Sequence, residues 1–343
     1  MPAEHQHLTR RGALAALALS LGSVGALAAC GSESSGGSST GSSTGSGSAG
    51  ADGSWTFTDG LGQKITLDHT PERIVAYGDE AAALINFGIK PVAIFGFTNP
   101  ADDPMFDGID LDGIEIIGTE YGEINVEKLA ALQPDLILTT TYDGDKPSLM
   151  YGFKDKTQMK TIRAIAPVAG ILQSGLATDV IESNEELASS LGIDVDGGQV
   201  AKDRATFTKA GDRLKKIAKR GLKIITVYGE DANLYYVIPS DDPAVAYYAS
   251  LGLDFIDTGT KKDYYWHIVS WENADEYDAD VVLYTTRDSY TPEQFEKQPT
   301  FARVAAVKAG QFFGWDSVGM DYVSQARYMN KLADYLDTAK KVV

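Results

Sequence analysis

The sequence is poor in the side chains on which metal sites and many active sites depend. It contains one cysteine and four histidines in 343 residues, and two of the histidines, His5 and His7, lie close to the N-terminus. A single cysteine leaves no partner for a disulfide within the chain. A site for bare zinc or manganese needs several converging histidines and carboxylates. We therefore expect no resident metal, no cofactor and no enzyme that works through a Cys–His pair or a metal ion.

Positive charge is also scarce. The chain has 30 Lys and Arg against 48 Asp and Glu, a formal net charge of −18. An excess of negative charge repels both the phosphate backbone of nucleic acid and anionic lipid. We expect no nucleic-acid partner, and any attachment to a membrane has to come from something other than surface charge.

One apolar run stands out, from Gly12 to Ala29, after a basic start that contains Arg10 and Arg11. This pattern predicts a secretory signal peptide over residues 1–29. The run ends at Leu27-Ala28-Ala29-Cys30, which resembles the bacterial lipoprotein box, in which the cysteine is cleaved free and acylated. The resemblance implies that Cys30 carries lipid such as palmitate and anchors an exported protein to the outer face of the cytoplasmic membrane. A membrane-spanning helix is the alternative, although the run is short for a span. Sec and twin-arginine export both stay open.

A segment of small residues follows the cysteine. Residues 30–54 are almost entirely Gly, Ser, Thr and Ala, a composition typical of a flexible tether with a reach of roughly 25–30 Å. The remaining chain, residues 55–343, is long enough for two lobes. Membrane attachment by acyl chains would then leave a folded body free to move near the bilayer.

One stretch predicts a long helix over residues 198–220. Its apolar residues recur at helical spacing at Val200, Phe207, Ala210, Leu214 and Ile217, and glycines stand on either side of it. We interpret residues 196–220 as a rigid connecting helix between an N-terminal lobe, residues 55–195, and a C-terminal lobe, residues 221–343. The alternative is an ordinary surface helix within one domain.

The two halves of the chain repeat the same pattern. Residues 73–80 form an apolar strand that ends in Tyr-Gly-acid, and residues 223–231 do the same. A glutamate, Glu127 or Glu272, stands eight residues before an aspartate that opens another apolar strand in each half. Two copies of strand, helix and strand around a helix predict an α/β protein with two Rossmann-like lobes and a cleft between them.

Several short phrases, taken together and in this order, resemble one protein family. They are Pro71-x-Arg73-Ile74-Val75, Glu123-x-x-x-Glu127-Lys128-Leu129, Leu132-Gln133-Pro134-Asp135-Leu136-Ile137, Ser270-x-Glu272 and Val307-Lys308-Ala309-Gly310. They look like the siderophore, haem and cobalamin substrate-binding proteins of bacterial ABC importers. The resemblance implies the class III periplasmic-binding-protein fold, a monomer that holds its ligand between the lobes, and an ABC permease with its ATPase as partner. It also implies that Glu127 and Glu272, one on each lobe, dock on arginines of the permease.

The cleft is expected to offer aromatic faces and one cation. Strand C-terminal ends face the ligand crevice in open α/β sheets, and Tyr142 and Arg287 each follow a predicted strand. In relatives that bind hydroxamate siderophores, the positions of Tyr142 and Trp266 look like cleft positions. The full set of predicted ligand-binding residues is Tyr142, Trp266, Arg287, Tyr77, Phe97, Tyr228, Tyr265 and Trp315.

Charge favours one class of ligand. A ferric chelate needs no protein ligand to iron, because the chelator fills the coordination sphere. Only Arg287 can be placed among the acids at the predicted loop ends, whereas a tris-catecholate complex would need several cations. We therefore expect a pre-formed Fe(III)–siderophore complex of the neutral or cationic hydroxamate kind. Haem and cobalamin stay open, as do a sensor that passes its ligand to a receptor and, as a competing class, a surface-anchored enzyme acting on a chelate.

Overall fold

A small antiparallel sheet begins the folded part of the chain. The computed structural model describes residues 46–50, 53–142, 150–259 and 266–343. Strands β1 (Ser46–Ala49), β2 (Trp55–Thr58) and β3 (Lys64–Leu67) form this sheet in the order β1-β2-β3. The prediction of a tether through residue 54 is wrong for residues 46–49, because they pair with β2. Glycine at position 47 allows this pairing, because a Cβ atom there would lie only 2.6 Å from the Cβ atom of Ser190 and would clash with it.

The N-terminal lobe follows as a five-stranded parallel sheet with helices around it. Its order is β6-β5-β4-β7-β8, and all six residues of β7 are buried, as is usual where helices cover both faces of a parallel sheet. The elements are β4 (Ile74–Tyr77), α1 (Gly78–Asn86), β5 (Ala93–Phe95), β6 (Glu115–Gly118), α2 (Val126–Ala131), β7 (Leu136–Thr141), α3 (Lys156–Arg163), β8 (Val168–Leu172) and α4 (Ala177–Ser190).

A 21-residue helix, α5 (Gly198–Ala218), joins this lobe to the C-terminal lobe. The second sheet has the order β12-β10-β9-β13-β14, and β11 also pairs with β9. The elements are β9 (Lys223–Gly229), β10 (Leu234–Val237), α6 (Pro243–Ser250), β11 (Asp254–Phe255), β12 (Trp266–Val269), β13 (Val281–Thr285), α7 (Pro292–Glu296), α8 (Ala305–Lys308), β14 (Phe312–Trp315) and α9 (Tyr322–Thr338).

The repeated sequence pattern corresponds to a repeated structural unit. In each lobe the two matching strands are parallel neighbours, β4 beside β7 and β9 beside β13. The repeated aspartate has the same role in both: Asp135 accepts hydrogen bonds from the backbone N–H groups of Glu72 and Arg73, and Asp280 accepts one from that of Lys223. The copies differ after β9, where the chain turns back as the antiparallel strand β10 before it enters a helix.

The connecting helix is packed along its length rather than isolated. Phe207 and Leu214 of α5 belong to a buried cluster that includes Met329 and Leu332 of α9 and also Phe87 of the N-terminal lobe. The fold is therefore two α/β lobes joined by a long helix, as the sequence predicted, with a second helix laid against the connection.

Polar contacts reinforce this junction. Arg204 of α5 pairs with Glu185 of α4 and donates a hydrogen bond to the Tyr322 hydroxyl of α9 at 3.2 Å. Asn86 of α1 donates to Asp321 at the start of α9 at 3.0 Å. The four helices α1, α4, α5 and α9 thus meet at one place. Within the described ranges no helix is both long and apolar enough to cross a bilayer.

Candidate ligand cleft

A cavity lies between the two lobes, with an empty volume of about 600 Å³ that opens to solvent. The N-terminal lobe lines it with Asp79, Glu80, Met105, Tyr142 and Gln173, and the C-terminal lobe with Asp242, Pro243, Ala244, Trp315, Asp316, Ser317, Val318, Met320 and Gln325. Several of these directly follow parallel strands, which is where α/β sheets place their ligands.

Two of the predicted ligand-binding residues line this cavity. Tyr142 directly follows β7, is 45 % exposed and makes an edge contact with Tyr151 at 5.5 Å between ring centroids. Trp315 ends β14 and presents a small exposed part of a mostly buried ring. Their contact with ligand stays a prediction, but their positions suit an aromatic wall.

Tyr77 is not available to a ligand in this structure, contrary to the prediction. Its side chain is fully buried, with ring centroids 5.7 Å from Phe95 and 5.5 Å from Tyr151. The chain at Gly152 closes over it: a Cβ atom at that position would lie 2.9 Å from Cδ2 of Tyr77. Tyr77 therefore supports the aromatic wall from behind.

Arg287 is the predicted cation of the cleft, and the structure places it in an ion-pair cluster. Its Nη1 lies 2.8 Å from Oδ1 of Asp79, and its Nη2 lies 2.8 Å from Oδ2 of Asp103. Phe97, also predicted to bind ligand, lies against the guanidinium. The centroid of its ring is 4.2 Å from Cζ of Arg287. Burial alone would lower the pKa of Arg287, but the two carboxylates outweigh burial and raise it. Both Nη atoms of Arg287 therefore have a carboxylate partner in this structure, and its contact with a ligand stays a prediction.

A second aromatic group belongs to the C-terminal lobe. Trp266 begins β12 and lies with its ring 5.7 Å from Tyr228 and 6.1 Å from Tyr235. All three rings are partly buried. Neither Trp266 nor Tyr228 is among the residues that line the cavity between the lobes. Tyr265, the remaining predicted residue, lies outside the described residues, as does Cys30.

Glu80 lines the cavity and is only 1 % exposed. Its Oε1 accepts hydrogen bonds from Oγ1 of Thr140 at 2.8 Å and from Nε2 of Gln173 at 3.3 Å, while its Oε2 has no hydrogen-bond partner. Burial raises the pKa of Glu80 to about 8. At neutral pH this carboxyl group therefore keeps its proton and does not add to the negative charge of the cleft.

Two residues important to the site had no signal in the sequence. Asp103 pairs with Arg287, but in the sequence nothing distinguishes it from the acids around it. Tyr151 contacts Tyr142 and lies in a loop with no periodic pattern. Asp103 meets Arg287 across the two lobes, whereas Tyr151 meets Tyr142 within the N-terminal lobe.

The two predicted docking glutamates are exposed at the surface, one on each lobe. Glu127 lies in the first turn of α2, behind the capping residue Asn125. Glu272 lies in the short turn Trp271–Asn273, where hydrogen bonds from its own backbone N–H and from Ser270 lower its pKa. Both side chains are exposed to solvent. Their role in docking stays a prediction.

No resident metal site is visible in the part of the chain that the structure describes. Within it, no group of three or more His, Cys, Asp or Glu residues is arranged to hold a metal ion.

Solved structures resemble this chain over most of its length. DesE of Streptomyces coelicolor, a ferric-siderophore receptor protein, is 29 % identical with a TM-score of 0.77, covering 84 % of this chain and 100 % of its own. PiaA of Streptococcus pneumoniae in complex with ferrichrome is 23 % identical with a TM-score of 0.58, covering 82 % and 98 %. FhuD2 of Staphylococcus aureus with bound ferrioxamine B is 21 % identical with a TM-score of 0.56, covering 77 % and 98 %, and like PiaA shows a shared fold.

The sequence itself matches a family. No curated protein matches the chain significantly. The sequence pattern of the periplasmic binding protein family, however, matches residues 79–318, which include α5, most of both sheets and every described lining residue of the cavity except Met320 and Gln325. The chain therefore belongs to the periplasmic binding protein family.

Proposed function

We propose that this protein captures a ferric siderophore outside the cytoplasmic membrane and delivers it to an ABC permease. The observation that carries the proposal is the likeness to DesE, a ferric-siderophore receptor, over the whole of that chain, combined with a cavity between the lobes. We propose binding and delivery without catalysis, since the family consists of binding proteins.

A hydroxamate siderophore fits the cleft better than a catecholate one. The acids Asp79, Asp242 and Asp316 line the cavity, and among its described lining residues there is no Lys or Arg. A neutral or cationic complex enters such a site without the repulsion that a polyanion would meet. Ferrichrome in PiaA and ferrioxamine B in FhuD2 are both hydroxamate complexes, which is consistent with this choice. Haem and cobalamin are the alternatives.

Tryptophan fluorescence tests the proposal, because Trp315 lies on the cavity wall. We would titrate the purified protein with ferrioxamine B, ferrichrome, a ferric tricatecholate, haem and cobalamin, and confirm each affinity by calorimetry. We expect saturable quenching by one or both hydroxamates. A Trp315→Phe variant should lose most of the quenching while calorimetry still detects heat of binding. Saturable binding of haem or cobalamin alone, or of no ferric chelate, would contradict the proposal.

We further propose that Glu127 and Glu272 dock on the permease. Two anionic points on separate lobes of one body fix its orientation more than they add affinity. The double change Glu127→Ala with Glu272→Ala should abolish uptake of radiolabelled ferric siderophore by cells and leave the calorimetric affinity unchanged. The matched control is Glu120→Ala with Glu296→Ala, which removes one exposed glutamate from each lobe. Equal uptake by the two double variants would refute docking through these residues.

The N-terminus supplies the anchor in this proposal. Residues 1–29 are removed as a signal peptide, Cys30 is acylated, and the residues between Cys30 and β1 form the tether to the lobes, residues 55–195 and 221–343, on either side of the connecting helix. A Cys30→Ser variant should appear in the soluble extracellular fraction without incorporated palmitate. Retention of that variant in the membrane fraction would count against an acyl anchor.

A further inference from the structure

The contacts around Arg287 have a consequence for which ligands the cleft accepts. We infer that Asp79 and Asp103 are specificity-determining residues: by holding Arg287 between them, they withdraw its charge from the cleft and make the site reject polyanionic ferric chelates. The inference rests on the proposed function and names the charge class of its ligand. We call Asp79, Arg287 and Asp103 the charge clamp.

The charge clamp joins the two lobes. Arg287 follows β13 in the C-terminal lobe, whereas Asp79 and Asp103 belong to the N-terminal lobe. The side chains of Arg287 and Asp103 are only 8 % and 1 % exposed, and that of Asp79 is 22 % exposed. Each carboxylate contacts a different Nη atom at 2.8 Å. Both Nη atoms therefore already contact a carboxylate before an anion arrives.

The surroundings hold the clamp in place. The ring of Phe97 covers one face of the guanidinium at 4.2 Å. Asp103 also accepts a hydrogen bond from the backbone N–H of Met105 at 3.0 Å, which fixes its carboxylate at the start of a short helical turn. Removing one partner from a buried ion pair leaves an uncompensated charge and is strongly unfavourable. A ligand that pulled Arg287 away from its two carboxylates would incur that penalty.

The rest of the cavity wall adds to the discrimination. Asp316 has its own cation, with Nζ of Lys331 2.6 Å from its Oδ2, so Lys331 is also engaged. Asp242 caps α6 by accepting a hydrogen bond from the N–H of Val245. Like charges brought together at a binding surface suppress a wrong partner. Arg287 and Lys331 therefore both already contact carboxylates, and a complex with several negative charges finds no Lys or Arg among the described lining residues.

The test removes each carboxylate charge while keeping its shape. The variants are Asp79→Asn, Asp103→Asn and the double variant, and Asp102→Asn is the matched control, since Asp102 is the exposed neighbour of Asp103 and its carboxylate accepts from Asn99. The probes are ferrichrome, a neutral complex, and ferric enterobactin, a tricatecholate with several negative charges. Affinities are measured by calorimetry on the full folded chain at physiological ionic strength.

We expect the wild type to bind ferrichrome at least a hundredfold more tightly than ferric enterobactin. In the double variant the ratio of the ferrichrome affinity to the ferric enterobactin affinity should fall by at least about tenfold, equivalent to about 1.4 kcal/mol, through a gain for ferric enterobactin. Asp102→Asn should change neither. Adding Arg287→Gln to the double variant should remove the gain, because the released guanidinium is its source.

The outcomes separate the two ideas. Wild-type binding of ferrichrome, with no gain for ferric enterobactin in the double variant relative to Asp102→Asn, refutes the clamp and leaves the proposed function standing. Wild-type binding of neither probe, nor of any other ferric chelate, refutes both. Should the double variant not fold, the wild type alone decides: its affinity should follow the order cationic ferrioxamine B and neutral ferrichrome above ferric enterobactin, and the reverse order overturns the inference.

Discussion

The buried carboxyl group of Glu80 makes stability depend on pH in a direction opposite to that of most carboxyl groups. Glu80 is 1 % exposed, and burial raises its pKa from 4.5 to about 8. Between these two values the folded protein keeps the proton of Glu80, whereas the unfolded chain has lost it. The unfolded state then binds fewer protons than the folded state, so the free energy of unfolding falls as pH rises. The contribution of Glu80 is fully favourable below pH 4.5 and is lost as pH rises towards 8.

The size of the effect follows from the pKa values. One pKa unit corresponds to about 1.4 kcal/mol, so ionisation of the unfolded chain lowers the free energy of unfolding by about 3 kcal/mol between pH 4.5 and pH 7. Glu80→Gln removes the proton exchange and keeps an oxygen that can accept the hydrogen bonds of Thr140 and Gln173. The new amide group needs an acceptor, and an unpartnered donor costs about 1–3 kcal/mol.

The two effects cross with pH. At pH 5 we expect Glu80→Gln to be somewhat less stable than the wild type, and at pH 7.5 to be more stable. The difference in free energy of unfolding, variant minus wild type, should rise by about 1.4 kcal/mol per pH unit. Urea unfolding at pH 5, 6, 7 and 7.5, followed by far-ultraviolet circular dichroism, measures this difference. Glu182→Gln, on the exposed face of α4, is the matched control for the loss of one glutamate. Parallel pH profiles for Glu80→Gln and wild type would refute the reasoning.

Three further substitutions test the packing of the fold, each by chemical unfolding. Leu214→Ala, in the buried face of α5, should lower the free energy of unfolding by about 2–5 kcal/mol, since it leaves a cavity between helices. Gly152→Ala should lower it by about 2–4 kcal/mol, because this residue has a φ of 84° and faces Tyr77. Asn86→Ala should lower it by about 1–3 kcal/mol, since Asp321 at the lobe junction loses a hydrogen-bond donor.

Each of these substitutions has an outcome that would contradict the structure. Gly192→Ala is the control for Gly152→Ala, because Gly192 has a φ of 93° but nothing within 4 Å of the position of an added Cβ atom. It should therefore show backbone strain alone and a smaller loss of unfolding free energy. Equal losses at the two glycines would mean that Tyr77 does not pack against Gly152. A loss well below about 1 kcal/mol for Leu214→Ala would place α5 at the surface instead of against α9.

The repeated pattern predicted more of the fold than any single motif. The two aspartates that open β7 and β13, Asp135 and Asp280, each tie the start of a neighbouring strand through backbone hydrogen bonds. Local chemistry of this kind is visible in a sequence, because the residue type, its spacing and the apolar strand after it occur together. The same is true of α5, whose apolar spacing and flanking glycines predicted a helix over residues 198–220, which the structure forms over Gly198–Ala218.

The site was harder to predict because its contacts join segments that are far apart in the chain or lie in loops without a periodic pattern. Arg287 and Asp103 are far apart in the chain, and nothing near either residue indicates the other. Tyr77 ends an apolar strand as a cleft residue might, yet the approach of Gly152 buries it. The strand β1 was missed because Gly and Ser have little strand propensity of their own, and close contact with Ser190 favours their pairing there.

The junction of α4, α5 and α9 holds the two lobes at a nearly fixed distance from each other. A close-packed interior resists continuous deformation, and the contacts of Arg204 connect all three helices at this point. We therefore expect the lobes to turn by only a few degrees when cargo arrives. A transporter that contacts both lobes would then meet nearly the same spacing between them with or without cargo. Recognition of the loaded form would then depend on the chemistry at the rim of the cleft and on the exposed surface of the cargo itself.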